Sequence, residues 1–397
     1  MHRHRSHPMP LRQVMVRRSL SWIAAAFLLT ITSACAVDVS RGVPAVASDY
    51  QAKLAEYERV HGAYEREAAA YWDAVAAKRR LRNAKRRDHQ PLTLADYVLA
   101  QPPVYAGPPR PVDPNAPYQP PSEKQPVPVV ADFLQAAYTQ WGFVPDRPRS
   151  EGEFKRAYAT AAMAAGLDRN QVVGIYAFET GGHGAYDTQA GLLFNRPGAH
   201  AISPALGYNQ LLSTLTISLL ADHGSDVVAA LRQKEQRLSG EARLRMARKI
   251  EVLRRMIAFA RSIPHRWKEY DRIAKHTARG MGLHAVLLDV DIGPLLQVQN
   301  LANSVRFARA KGYPGNLSAA ELELMNLTGD GNGIDMVMMP QALREQVPTA
   351  NFFAPSGYWR NPIARRTQVV AGLIAEIQDH INRAESNPGA RELAAAF

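Results

Sequence analysis

Eleven prolines fall between Gln101 and Pro128, at positions 102, 103, 108, 109, 111, 114, 117, 120, 121, 126 and 128. Each fixes φ and removes a backbone donor, so neither a regular helix nor a central strand runs through this stretch. Residues 99–129 therefore read as an extended, semi-rigid linker without a core of its own. It separates a short N-terminal part from a C-terminal part over 130–390, which is within the normal size of one domain.

The N-terminal part opens with five arginines (Arg3, Arg5, Arg12, Arg17, Arg18) and no acid, followed by LSWIAAAFLLTITSA. That order predicts a secretory signal over residues 1–36. Arg17-Arg18 hints at twin-arginine export, but the flanking residues match weakly and ordinary secretion fits better. Cys35 is the chain's one cysteine, and two readings of it stay open. Ala34-Cys35 resembles a bacterial lipoprotein box, although Thr32 stands where an aliphatic residue is usual; Cys35 would then carry an outer-membrane lipid anchor. Alternatively Ala34-Cys35-Ala36 is an A-x-A cleavage site and Cys35 is discarded. Both readings give an exported, periplasmic protein without a disulfide, and no later apolar run is long enough to span a membrane.

Residues 48–92 predict a long helix. Tyr50, Tyr57, Tyr64 and Tyr71 recur every seven residues, with Leu54, His61, Ala68 and Val75 between them. This 4-3 spacing is a heptad seam. It is compatible with a coiled coil, by self-association or with an envelope protein, and equally with one amphipathic helix packed on its own domain. The helix closes in KRRLRNAKRRD, seven basic residues from Lys78 to Arg87 that read as a solvated face or a contact for anionic lipid or glycan. The formal net charge is +12. Removing the five arginines of the signal from 48 basic residues leaves 43 against 36 acidic, a net of +7. Such a balance suits an anionic polymer, and export argues against nucleic acid as that polymer.

Beyond the linker the patterns are helical: ADFLQAAYTQW, EFKRAYATAAMAAGL, NQVVGIYAF, and a charged helical stretch over about 226–290. Strand signals are sparse and no period of 20–50 residues repeats. The expected class is mainly α. Within it, GLDRNQVVGIYAFETGG places a carboxylate awkwardly. Asp168 or Asn170 can cap a helix with an apolar body, and Gly181-Gly182 can stop it. Glu179 then lies in the last turn, at the negative end of the helix dipole and among apolar neighbours. Both effects favour its protonated form. An acid held protonated near neutral pH can protonate a glycosidic oxygen. Taken locally, an exposed or arginine-paired Glu179 is the competing reading.

The wider pattern shifts that balance. GLDRNQVVGIYAFETGG, then ISPALGYNQLLSTL, then LSAAELELMNLTGDGNG resemble, in order, three motifs of the soluble lytic transglycosylase and goose-type lysozyme families. Glu179-Thr180 stands at the family's Glu-Ser. Ser203-Pro204 and Gly207-Tyr208-Asn209-Gln210 stand at its Ser-Pro and Gly-Leu-Met-Gln. Asn326 falls on the Asn of its third motif. The resemblance implies a lysozyme-like helical catalytic domain that cleaves the MurNAc–GlcNAc bond of peptidoglycan strands, with Glu179 as general acid and base and with no cofactor or metal. It also implies substrate roles for Thr180, Gln210 and Asn326, while Tyr186 and Tyr208 could stack on sugars. In one departure, the family's Tyr before that Asn is here Met325, whose thioether donates no hydrogen bond. This leaves a non-catalytic, fold-retaining peptidoglycan-binding or scaffold protein as an alternative. A goose-type hydrolase is another, and it would need a second carboxylate, for which Asp187 is the candidate; Asp187 also suits a turn residue.

Other groups are weaker. His183, Asp187, His200 and His223 lack metalloenzyme spacing and read as loop or capping residues. DGNGID over 330–335 is similar to a calcium loop, but Gln341 replaces the expected Glu and the glycine is misplaced, so it reads as a turn.

Overall fold

The computed structural model describes residues 45–117, 126–192 and 198–397. The expected signal segment and Cys35 lie outside them. Among the described residues the architecture is mainly α, with isolated bridges in place of named strands. Helix α1 spans Ala45–Arg87, and beyond the proline segment come α2 (Val130–Trp141), α3 (Glu151–Ala164) and α4 (Arg169–Thr180). The charged stretch forms α5 (Ser213–Gln236), α6 (Gly240–Ser262), α7 (Trp267–His276) and α8 (Ala278–Leu283). There follow α9 (Gly293–Ala310), α10 (Ala319–Thr328), α11 (Asp330–Val337) and α12 (Gln341–Arg344). The C-terminal helices are α13 (Pro355–Arg360), α14 (Pro362–Thr367), α15 (Val370–Glu385) and α16 (Pro388–Ala394).

Two apolar cores hold these helices. One gathers α3, α4, α9, α10, α11, α15 and α16; the other gathers α2 and α5 to α8, and Tyr186 and Leu295 touch both. The charged stretch is folded because its apolar residues share one face. On α6, Met246, Ile250, Leu253, Ile257 and Ala260 are buried at alternating spacings of four and three, the period of a helix stripe. They meet α5 closely enough that a Cβ on Gly224 would lie 2.5 Å from Ile257.

Part of the heptad seam of α1 packs on its own chain. Tyr57, His61 and Tyr64 surround Tyr105 from the proline segment, with ring centroids at 6.4, 5.2 and 5.3 Å. Further along, Tyr71 and Val75 enter the same core as α4. The proline segment is thus docked at its start: the Ala100 carbonyl accepts from Tyr71 Oη at 3.1 Å, and Val98 exchanges two hydrogen bonds with the Asn351 side chain at 3.0 and 2.8 Å. Much of the basic run is also engaged rather than solvated. Arg79 and Arg82 donate to the Asn351 carbonyl, while Lys85 and Arg86 pair with Asp96 and Asp335. DGNGID is helical, not a bare turn: Asp330 begins α11, and its carboxylate accepts from Ser304 Oγ at 2.7 Å. No single described helix is long and apolar enough to cross a membrane.

Candidate active site

Helix α4 is built by the signals at its two ends. Asp168 caps it: the Gln171 amide donates to the Asp168 carboxylate at 2.9 Å, and the Asp168 amide donates to the Gln171 side chain at 3.0 Å. This is a capping box. Gly181 and Gly182 take φ of 62° and 68° and end the helix. The stop is anchored, since Asn387 Nδ2 donates to the Gly181 carbonyl at 2.8 Å and the Ala390 amide to the Gly182 carbonyl at 3.2 Å. Glu179, next to last in α4, is therefore held by a fixed turn.

Helix α10 brings the second residue. Its N-cap Ser318 accepts from the Glu321 amide at 3.2 Å, and the Glu321 carboxylate accepts from the Ser318 amide at 2.9 Å. Gly174 lets α10 lie flat on α4, because a Cβ there would stand 2.3 Å from that of Ala319. The result is a direct contact: Asn326 Nδ2 donates to Glu179 Oε1 at 2.7 Å. Two residues 147 apart in sequence thus meet. Glu179 is partly buried. Burial pushes its carboxyl up to about 8, against the opposing pull of the Asn326 hydrogen bond. At neutral pH it carries a proton, the state a general acid requires.

A second carboxyl stands beside this pair. Glu323, three residues before Asn326 on α10, is fully buried, and neither of its oxygens has a hydrogen-bond partner. Burial first, and then the nearby Glu179 charge, hold its carboxyl well above the usual range, against the opposing pull of the Asn326 side chain. The sequence reading missed Glu323 because AELEL passes for a solvent-facing alternation. The available signal was its offset of three from Asn326, which puts both on one helix face.

The other expected residues are placed differently. Thr180 is buried, and its hydroxyl donates to the Tyr176 carbonyl at 2.7 Å, so it finishes the helix instead of facing a substrate. Tyr208 is fully buried among Phe154, Tyr158 and Tyr176, and its hydroxyl donates to Glu151. It is core packing and offers no sugar platform. Tyr186 lies against Phe154, and its hydroxyl accepts from Arg147 Nε at 2.5 Å. Asp187 pairs with Arg147 Nη2 at 2.6 Å. Gln210, at φ 43°, spends its side-chain amide on the carbonyls of Thr188 and Gly207 at 3.0 and 2.8 Å. The second motif therefore shapes a loop. Asn209 ties that loop to Gln297 of α9, and His284 accepts from Thr216 and donates to the Pro204 carbonyl. Met325 is fully buried, and among the described residues Asn326 is the side chain that donates to Glu179.

A cleft of about 350 Å³ runs along the glycine-rich loop after α4, lined by His183, Asp187, Gln189 and Val130 among others. Glu179 does not line it. Compared with protein-family models, with curated proteins and with solved structures, the chain matches none.

Proposed function

We propose that this chain cleaves the MurNAc–GlcNAc glycosidic bond of peptidoglycan as a lytic transglycosylase, through a lysozyme-like helical domain in which Glu179 is the acid and base. The observation that supports it best is the 2.7 Å contact between Asn326 and Glu179, two residues from separate motifs of the resemblance. Glu179 gives its proton to the bridging oxygen as the C1–O bond breaks. The 6-hydroxyl of the same MurNAc then attacks C1, and its proton returns to Glu179. Atoms balance without water, and the product is a 1,6-anhydro end. Between the two transfers Glu179 is a carboxylate, and the Asn326 amide stabilises it by a charge-assisted hydrogen bond. Asp187 is already engaged by Arg147, which favours this single-carboxylate route over a goose-type hydrolase.

Digestion of purified sacculi tests the proposal. The wild-type chain is expected to release anhydro-muropeptides, and Glu179→Gln to lower the rate by about a hundredfold or more. Reducing ends in the product would select the hydrolase. A mutant as active as the wild type would sink the assignment of Glu179. The buried Met325 favours a second reading, a glycan-binding scaffold that retains the fold; release by neither protein, with sacculus binding intact, selects it.

Export to the periplasm and an outer-membrane anchor at Cys35 belong to the same proposal. On it, Cys35→Ala moves the protein from the membrane fraction to the soluble periplasm. Unchanged fractionation removes the anchor and leaves the cleavage site at Ala34-Cys35-Ala36.

A further inference from the structure

Glu323 has no role in the reaction as written, yet its placement is costly. A carboxyl with no solvent exposure and no well-formed hydrogen bond to either oxygen forfeits its hydration with only the nearby Asn326 amide to offset the loss. Such a group stays neutral, because burying an unpaired charge costs far more than burying the acid. Its surroundings supply no cation. From α4, the charge of Glu179 acts on it. From α15, which packs on α4 and α10, His380 stands against Phe178, and Glu385 is under the influence of Arg169. From α9 and α11, Ser304 and Asp330 bond to each other. Among the described residues, Glu179 is the charged group that acts on Glu323.

A neutral carboxylic acid carries one O–H donor. Here that donor has no hydrogen-bond partner, and it lies within the electrostatic reach of the group that turns anionic during the reaction. We infer that Glu323 is a positioning residue which remains a neutral acid and donates its O–H to the carboxylate that Glu179 becomes on releasing its proton. Asn326 and Glu323, one turn apart on α10, then act on the same anion, Asn326 in the resting state as well and Glu323 once the charge forms. The proton of Glu323 stays on Glu323; the proton that reaches the sugar oxygen is Glu179's own. The inference rests on the reading of Glu179 as the acid, while the protonation of Glu323 can be measured without any substrate.

The test combines spectroscopy with a pH profile. Infrared spectra of isotope-labelled protein at pH 9.5 are expected to show a protonated carboxyl band in wild type and in Glu179→Gln, and to lose it in Glu323→Gln. Titration of Glu179 by carbon NMR is expected to move upward by about one pH unit in Glu323→Leu, which removes the donor, and to move less in Glu323→Gln, whose amide restores one. On sacculi, Glu323→Leu should lower the maximal rate roughly tenfold to a hundredfold, shift the alkaline limb upward with the titration, and be partly rescued by Glu323→Gln. A purely structural Glu323 would change stability and leave the limb in place. Absence of the band in wild type and in Glu179→Gln, or an unmoved Glu179 titration in a folded Glu323→Leu, overturns the inference. If Glu179→Gln keeps full activity while the band is present, the glycosidic reading fails and the neutral state of Glu323 survives. If Glu179→Gln is inactive and the band is missing, the reading stands and this inference falls.

Discussion

Glu179 and His284 are titratable groups displaced in opposite directions, and both displacements couple to folding. Glu179 is raised by burial from 4.5 to about 8. A carboxyl raised on folding contributes stability that is complete below its unfolded value and is lost as pH rises through the folded one. The wild type should therefore lose thermal stability between pH 4.5 and 8 relative to Glu179→Gln, whose amide does not titrate. The gap in Tm between the two should open by roughly 5 °C over that window, read by calorimetry across a pH series. A gap that stays constant would mean Glu179 titrates normally. His284 behaves as the mirror image. Burial lowers it from 6.5 to about 4, so its contribution is complete above 6.5 and is lost as pH falls towards 4. At this scale the sequence was legible where the signal is local, as in the glycine stop that leaves Glu179 in the last turn of α4. It was not legible where a polar side chain satisfies backbone. The hydroxyl of Thr180 and the amide of Gln210 look the same in sequence whether they meet a sugar or a carbonyl, and only the folded chain shows that they meet Tyr176, Thr188 and Gly207.

Helix α4 shows what single elements disclose. Its start, body and stop were all readable, because capping and left-handed glycine are local physics. The surface against which the stop docks was not. Gly181 and Gly182 share a positive φ, but a Cβ on Gly181 would meet nothing within 4 Å, whereas one on Gly182 would lie 2.2 Å from the Ala384 carbonyl oxygen of α15. Gly181→Ala should therefore cost only the left-handed strain, about 1 kcal/mol. Gly182→Ala adds a clash with backbone that cannot yield cheaply, and should cost roughly 3 kcal/mol or more. It should also weaken activity, because the same turn fixes Glu179 against Asn326. Urea melts of the two variants separate these outcomes; equal costs would show that α15 does not brace the end of α4. The 226–290 stretch was readable as helix, but its composition hid the core that its helices carry. Its charges dominate the count, but the 4-3 spacing of Met246, Ile250, Leu253, Ile257 and Ala260 decides that it carries a core.

At the scale of the whole molecule, the start of the proline segment is docked on the fold. Prolines forbid helix and ladder, but they do not forbid docking: Ala100 and Tyr105 meet α1, while Tyr97 and Val98 meet Phe352 and Asn351 of the turn before α13. The basic end of α1 completes that clamp, and its arginines are unequal. Arg82 is fully buried, donates to the carbonyls of Asp96 and Asn351 at 3.0 and 3.1 Å, and lies over the rings of Tyr97 and Phe352. Burial lowers its guanidinium to about 10, still charged at neutral pH. Arg80, two residues earlier, is exposed. Arg82→Ala leaves the Asp96 carbonyl without its charged donor, leaves the Asn351 carbonyl to Arg79 alone and opens a cavity, so it should destabilise the whole chain by about 3 kcal/mol. Arg80→Ala should stay within about 0.5 kcal/mol. A run that served only as a lipid or glycan contact would behave differently: both substitutions would weaken binding to anionic vesicles alike and leave the melting curve unchanged. Paired unfolding and vesicle-binding measurements on these two variants decide whether α1 is a clamp of the helical core or a loosely tethered basic arm. The seating of Arg82 on backbone carbonyls, rather than on a carboxylate that sequence could have paired with it, is why only the structure reveals the clamp.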